Sequence, residues 1–261
     1  MLKAIFFDLD DTLLWDHKSV SEAFKATCRT VEETHQIDPE KLEERVRYHA
    51  EEIYPTLPTY SFTSNIGIGT FEGMWGEFKD EGDDFKLLRE TVPSFRKQAW
   101  TKGLQDVGIE DEALGTKLAV LFPEERKKHI YLYEETLEVL EELKGEYKLL
   151  MLTNGSPDLQ HMKLSYSPEL VPYFDEIVIS GAVGQGKPSE TIFKHALDLL
   201  DVNTDEAIMI GDNPNTDILG AVRLGMDSIW INHRTRPEVD VTPTYEVDRL
   251  KEVIPILKSY K

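Results

Sequence analysis

The sequence predicts an α/β protein built on a doubly wound, Rossmann-like and mainly parallel sheet, with a helical domain inserted near its N-terminus. Three observations predict this fold. A hydrophobic run at residues 4–7 ends in carboxylates, a long stretch without strand signals follows, and from Glu134 onward helices and strands alternate. Such alternation is typical of parallel sheets covered by helices. We therefore expect a core domain of residues 1–15 and 131–261 and a helical domain of residues 16–130.

The first predicted strand is a short hydrophobic run. Ile5, Phe6 and Phe7 are the β-branched and aromatic residues that are typical of a strand buried on both faces. Asp8 and Asp10 follow directly, two positions apart, so on extended backbone their side chains share one side. In open α/β sheets, ligands bind at the carboxyl edge, which is where these acids are expected.

Two carboxylates this close repel each other, so keeping both ionised requires a nearby cation. Hard oxygen ligands select Mg²⁺. The pattern thus favours a magnesium site at Asp8 and Asp10. The alternative is a strand followed by an acidic turn, in which Asp11 and Thr12 supply helix-cap chemistry.

The inserted region reads as helices with one irregular segment. Asp38 is a predicted N-cap, and Pro39 suits the first turn of the helix that follows it. Between Tyr54 and Gly82, glycines, prolines and aromatic residues indicate a packed irregular segment or a short helix from Thr70. We expect its aromatic residues to be core, although some are candidates for substrate contact. The predicted helices are Asp16–Gln36, Pro39–Ile53, Phe85–Asp106 and Asp111–Leu121.

In the second half of the chain, predicted strands and helices alternate, as they do in βα units. Its predicted strands are Tyr147–Leu152, Glu176–Ser180, Ala207–Ile210 and Ser228–Ile231. Its predicted helices are Glu135–Leu143, Asp158–Ser165, Ser189–Leu200, Asn215–Leu224 and Arg249–Ser259.

The composition excludes several classes of partner. Lys and Arg number 29 against 49 Asp and Glu, and the net charge of −20 argues against binding to nucleic acid polymers or anionic membranes. No hydrophobic run reaches the length of a membrane span, and no signal peptide is visible. The single cysteine, Cys28, cannot form an internal disulfide, so we expect a cytoplasmic protein. The sequence does not indicate an oligomeric state.

Four ordered motifs resemble those of the haloacid dehalogenase (HAD) superfamily. DLDDTL, which contains Asp8 and Asp10, has the form DxDxT of the first motif. Thr153 and Asn154 close the hydrophobic run of residues 148–152, as the second motif does. Lys187 in GKP resembles the third motif, and Asp212 and Asp217 in GDNPNTD resemble the fourth, GDxxxxD.

The resemblance implies a Mg²⁺-dependent phosphatase that acts on a small phosphorylated metabolite. It assigns Asp8 as the nucleophile that forms an aspartyl phosphate and Asp10 as the proton donor and acceptor. It assigns the inserted residues to the all-helical cap of the family, which would exclude water and select substrate. Phosphate binding is implied for Thr153, Asn154 and Lys187, metal binding for Asp8, Asp212 and the backbone carbonyl of Asp10, and an orienting role for Asp217.

Other members of the superfamily remain alternatives. Haloacid dehalogenases lack the second carboxylate, which Asp10 supplies here, and phosphomutases usually have glycine where Asp11 stands. A non-catalytic binding protein on the same fold is the third alternative. Among the phosphatases, MLTNG at Met151–Gly155, GDNPNTDI and WIN at Trp230–Asn232 are similar to N-acylneuraminate-9-phosphatases and pyrimidine 5′-nucleotidases. We therefore expect a sugar phosphate or nucleoside monophosphate as substrate.

Overall fold

The structure, a computed structural model, describes residues 1–233 and 240–260. Its sheet has six parallel strands in the order β3-β2-β1-β4-β5-β6. β1 pairs with β2 on one side and with β4 on the other, with Phe7 opposite Met151 and Ile210. The strands are β1 Ala4–Phe7, β2 Lys148–Thr153, β3 Glu176–Ile179, β4 Ala207–Gly211, β5 Asp227–Ile231 and β6 Tyr245–Val247. The predicted doubly wound parallel sheet is confirmed.

Helices connect the strands and form the inserted region. In chain order they are α1 Asp16–His35, α2 Pro39–Ile53, α3 Tyr60–Ile66, α4 Thr70–Gly73, α5 Asp83–Asp106, α6 Glu112–Lys128, α7 Thr136–Leu143, α8 Pro157–Ser165, α9 Ser180–Val183, α10 Glu190–Leu200, α11 Leu219–Leu224 and α12 Val253–Lys258. A π-helical turn, Pro214–Ile218, precedes α11. None of the described helices is both long and apolar enough to cross a bilayer.

The chain divides into two compact units. The first contains residues 1–15, 132–155 and 163–261, and the second contains residues 16–131 and 156–162. The boundary therefore passes through α8, a detail that the expected domain limits do not contain. The assignment of the second unit as a cap stays a prediction.

The core of the first unit is the sheet itself. Alternate residues of β1 face opposite sides, and Phe6 joins an apolar cluster with Leu150 and Met209 from its two neighbouring strands. Phe193 of α10 and Ala221 of α11 cover this face. All four residues of β1 are fully buried, as expected for the central strand of a sheet covered on both faces.

The second unit has its own apolar core, which is rich in aromatic residues. Phe24 of α1 lies 4.4 Å from Phe122 of α6 and 5.8 Å from Trp100 of α5, measured between ring centroids. Trp75 and Phe78, from the segment predicted to be irregular, are buried in the same core. The prediction that these aromatic residues are core therefore holds for both.

The local predictions are wrong at several places. Tyr60–Ile66 is helical although its sequence carries turn signals, because its buried residues pack into the core of the unit. α6 does not stop at Leu121 but continues through Pro123 to Lys128. The helix predicted at 215–224 begins as a π-helical turn, and the short edge strand β6 carries too few residues for a periodic signal.

The aromatic core of the second unit predicts a contrast between two neighbouring positions of α6. Phe122 is fully buried, whereas Val120 is 67% exposed. Phe122→Ala is expected to lower the free energy of unfolding by about 3–5 kcal/mol because it removes a large buried ring. Val120→Ala is expected to change it by less than about 0.5 kcal/mol. Urea unfolding followed by circular dichroism measures both, and equal values would contradict this packing.

Candidate active site

The predicted site residues follow three adjacent strands at one edge of the sheet. Asp8 comes directly after β1, Thr153 ends β2 and Asp212 comes directly after β4. The strand order reverses at β1, because β2 and β3 extend the sheet to one side and β4 to the other. Ligands of open α/β sheets bind at such a switch point. The fold therefore brings motifs that are about 200 residues apart in sequence to one place.

Lys187 is the central cation of this site. Its Nζ lies 2.6 Å from Asp8 Oδ1 and 2.7 Å from Asp217 Oδ1, and it donates a hydrogen bond to the carbonyl of Leu152 at 2.6 Å. Its side chain is 2% exposed. A lysine in a loop is usually solvated, whereas this one is buried and has two carboxylates as its partners.

Asn154 holds the loop that carries Lys187. Its side-chain Nδ2 donates to the carbonyl of Lys187 at 3.0 Å, and its Oδ1 accepts from the N–H of Lys187 at 2.8 Å. A Cβ added at Gly186 would come within 2.8 Å of Asn154 Oδ1, so this close approach favours glycine. Thr153 is buried beside it. Phosphate binding by Thr153 and Asn154 stays a prediction.

Asp217 is fully buried under the loop after β4. One carboxylate oxygen pairs with Lys187, and the other accepts the N–H of Asn213 at 3.0 Å. A Cβ at Gly211 would overlap the Asp217 carboxylate, so the glycine of the GD pair makes room for it. The geometry is the one that the predicted orienting role of Asp217 requires, and the role itself stays a prediction.

Three carboxylates converge at the candidate metal site. Asp8, Asp212 and Asp217 are all buried, and one oxygen from each lies within 4.8 Å of the other two. The backbone around Asp212 is fixed, since its N–H donates to Thr12 Oγ1 at 3.1 Å and its carbonyl accepts from Trp230 Nε1 at 2.9 Å. An all-oxygen set of buried carboxylates suits Mg²⁺.

The electrostatics of the cluster also fit a divalent cation. Burial raises the pKa of Asp8 to about 7, with Lys187 opposing the rise. Burial likewise raises the pKa of Asp217, again against the effect of Lys187. For Lys187, burial works against the ammonium form, but the carboxylates of Asp217 and Asp8 outweigh it and hold its pKa above the usual value. A divalent cation would shift the two acids back toward their ionised forms.

Asp10 has a second buried lysine as its partner. Lys163 of α8 donates from Nζ to Asp10 Oδ2 at 2.8 Å, and its side chain is 1% exposed. When all four acids (Asp8, Asp10, Asp212 and Asp217) are ionised, they and the two ammonium groups (Lys163 and Lys187) carry a formal charge of −2. One divalent cation would neutralise it.

Lys163 is the residue of this site that sequence reasoning missed. It does carry a signal, because Leu159 and Lys163 are four positions apart and so share one face of α8. A lysine at the position where helical periodicity calls for an apolar residue indicates a buried charge with a partner. The sequence pattern predicts the helix, but it does not identify the partner of a lysine on its buried face.

Sequence comparisons show which known proteins the chain is similar to. The family model described as haloacid dehalogenase-like hydrolase matches residues 2–225. The phosphoserine phosphatase of Thermus thermophilus is 33% identical over 253 residues, which cover 97% of this chain and 98% of the relative. The mouse N-acylneuraminate-9-phosphatase is 32% identical over 173 residues, which cover 64% of this chain and 69% of the relative.

A solved structure supports the fold. The Bacillus subtilis protein YfnB, in a structure with bound magnesium, aligns with a TM-score of 0.68 at 21% identity and covers 98% of both chains. At this level of identity the likeness shows the fold alone.

The contacts of Lys187 predict that it supports the fold as well as the site. Lys187→Ala would leave two buried carboxylates without their cation, so we expect the free energy of unfolding to fall by about 3–5 kcal/mol. Lys194→Ala is the matched control, because that lysine is 60% exposed and pairs with Glu190 one helical turn away. The control is expected to cost at most about 0.5 kcal/mol. Chemical unfolding in metal-free buffer measures both variants, and a loss at Lys187 no larger than at Lys194 would contradict the buried ion pairs.

Proposed function

The chain belongs to the haloacid dehalogenase-like hydrolases, and we propose that it is a Mg²⁺-dependent phosphatase that hydrolyses a small phosphate monoester through an aspartyl-phosphate intermediate. One observation carries the proposal. A buried ammonium, that of Lys187, contacts Asp8 at the point where Asp212 and Asp217 also converge. Such a site holds a nucleophile, a cation and a metal-binding set within a few ångströms.

The reaction needs two displacements, and the residues supply a group for each. In the first, a carboxylate oxygen of Asp8 bonds to phosphorus, the bond from phosphorus to the ester oxygen breaks, and Asp10 gives its proton to the departing alcohol. In the second, Asp10 takes a proton from water, whose oxygen displaces Asp8 from phosphorus. The products are the alcohol and inorganic phosphate, and both aspartates return to their starting forms.

The remaining residues of the site stabilise the negative charge of the phosphoryl group or hold the groups that do so. Lys187 would stabilise the negative charge that the phosphoryl oxygens carry in the transition state, and Asn154 keeps it in place. Asp8, Asp212 and the carbonyl of Asp10 are the ligands that we propose for Mg²⁺, with Asp217 orienting Lys187. When bound, the ion would supply further positive charge at the phosphoryl group.

The substrate is proposed to be a small phosphorylated metabolite. The phosphoserine phosphatase aligns over 97% of this chain, which includes most of the helical insertion, whereas the N-acylneuraminate-9-phosphatase aligns over 64%. Since inserted domains select substrate in the predicted mechanism, phosphoserine becomes the first candidate. A sugar phosphate or a nucleoside monophosphate remains the alternative. A cytoplasmic location stays a prediction.

Phosphatase activity is tested with p-nitrophenyl phosphate. Wild type is expected to release phosphate with Mg²⁺ and to lose most of this activity with a chelator. Asp8→Asn is expected to lower kcat by about a thousandfold or more, because it removes the nucleophile. Asp205→Asn, an exposed position before β4, is the charge-matched control and is expected to retain full activity.

The same assay separates the alternatives. Turnover of chloroacetate without turnover of any phosphate ester would favour a dehalogenase, and full activity of Asp8→Asn would exclude the proposed intermediate. A panel of O-phosphoserine, a sugar phosphate and a nucleoside monophosphate, compared by kcat/KM, would then identify the substrate class.

Metal binding is tested without turnover. Mg²⁺ at about 100 times its Kd is expected to raise the free energy of unfolding by about 2.7 kcal/mol, because it binds only the folded cluster. Asp212→Asn is expected to remove most of this gain, whereas Asp205→Asn is expected to keep it. Thermal unfolding at increasing Mg²⁺ concentration gives the shift in Tm. The same gain in both variants would place the ion elsewhere.

A further inference from the structure

Lys163 is a buried charged residue that the proposed reaction does not yet use. Its aliphatic stem runs through the interior near the C-terminal end of α8, and its Nζ donates to Asp10 Oδ2 at 2.8 Å. The side chain of Lys163 is 1% exposed, whereas that of Asp10 is 25% exposed. The lysine is therefore the buried partner, and the aspartate is the one that reaches toward solvent.

A buried ion pair of this kind is weak evidence for a stabilising role. Removing an ammonium from water costs several kcal/mol, and an apolar residue of similar volume often gives equal or greater stability. The position on α8 would suit such a residue, because it lies on the same helical face as Leu159. The choice of lysine is better explained by what its ammonium does to Asp10.

We propose that Lys163 is a positioning residue, which fixes the carboxyl group of Asp10 for proton transfer to the leaving alcohol. The inference rests on the proposed phosphatase function. The bond to Oδ2 restricts rotation of the carboxyl group. A general acid is effective only within hydrogen-bond reach of the atom that it protonates, so orientation of the carboxyl group matters for rate.

The two buried lysines then serve different aspartates. Lys187 contacts Asp8, the nucleophile, and its loss affects every substrate. Lys163 contacts Asp10, and its loss should affect those substrates whose leaving group needs a proton. This difference separates positioning of Asp10 from general support of the site.

The test compares two leaving groups by kcat/KM, which covers the steps up to departure of the alcohol. The alkoxide of O-phosphoserine is a strong base that needs a proton, whereas p-nitrophenolate is a weak base that departs without one. Lys163→Met is expected to lower kcat/KM for the alkyl ester by about a hundredfold and for p-nitrophenyl phosphate by less than about threefold, within the range of general acid catalysis. If O-phosphoserine is not a substrate, the best alkyl phosphate of the panel replaces it.

Three further variants make the result specific. Lys148→Met is the control, since that lysine begins β2 and donates to the carbonyl of Leu200 at the end of α10, and it is expected to leave both values unchanged. Lys163→Arg keeps the positive charge and is expected to restore part of the alkyl ester activity. The double variant Asp10→Asn with Lys163→Met removes both charges, and is expected to match Asp10→Asn alone, because the proposed effect of Lys163 on the reaction requires the carboxyl group of Asp10.

The outcomes distinguish this inference from the proposed function. An equal fall of kcat/KM for both esters in Lys163→Met would show a structural role and overturn the inference. A double variant less active than Asp10→Asn would also overturn the inference. This comparison remains informative if Lys163→Met alone does not fold. A rise in KM alone, confined to an anionic alkyl substrate, would make Lys163 a substrate-binding residue instead. Absence of phosphatase activity in wild type would contradict the proposed function itself.

Discussion

The site depends on one electrostatic constraint, which is that several carboxylates share a buried volume. Asp8, Asp212 and Asp217 have oxygens within 4.8 Å of one another, and burial, together with the neighbouring carboxylates, raises the pKa values of Asp8 and Asp217. Like charges in a medium of low dielectric repel strongly, so the arrangement is stable only with compensating cations. Lys187 supplies one positive charge between Asp8 and Asp217, and a divalent ion would supply two more.

The topology of the sheet explains how such a cluster arises in one chain. β1 is the central strand, and its neighbours β2 and β4 come from distant parts of the sequence. Residues that follow these strands must converge at the same edge, whichever loops carry them. Glycines allow the side chains of the site to pack closely against the backbone, since Gly211 makes room for Asp217 and Gly186 makes room for Asn154. The backbone, more than the side chains, therefore determines that the motifs meet.

The sequence predicted the sheet and the four motifs because both rest on strong local signals. Strand β1 is uniformly apolar, and paired carboxylates directly after a buried strand favour a metal site. The helix at Tyr60–Ile66, the continuation of α6 through Pro123 and the edge strand at Tyr245–Val247 were missed, because tertiary packing overrides weak local preferences. Lys163 was missed for another reason, since its partner Asp10 lies 153 residues earlier in the chain and a lysine on an apolar helix face does not identify its partner.

The large negative charge of the chain gives the buried lysines a second significance. With a net charge of −20, the long-range field does not attract an anionic phosphate ester, so affinity must come from groups at the site. Lys163 and Lys187 are almost fully shielded from solvent, and their interactions with nearby groups are therefore little screened by salt. Because each ammonium is paired with a carboxylate, its field largely cancels at a distance and acts mainly within the site. A substrate would meet it after the phosphoryl group has entered the site, which favours recognition of the reacting group over attraction from a distance.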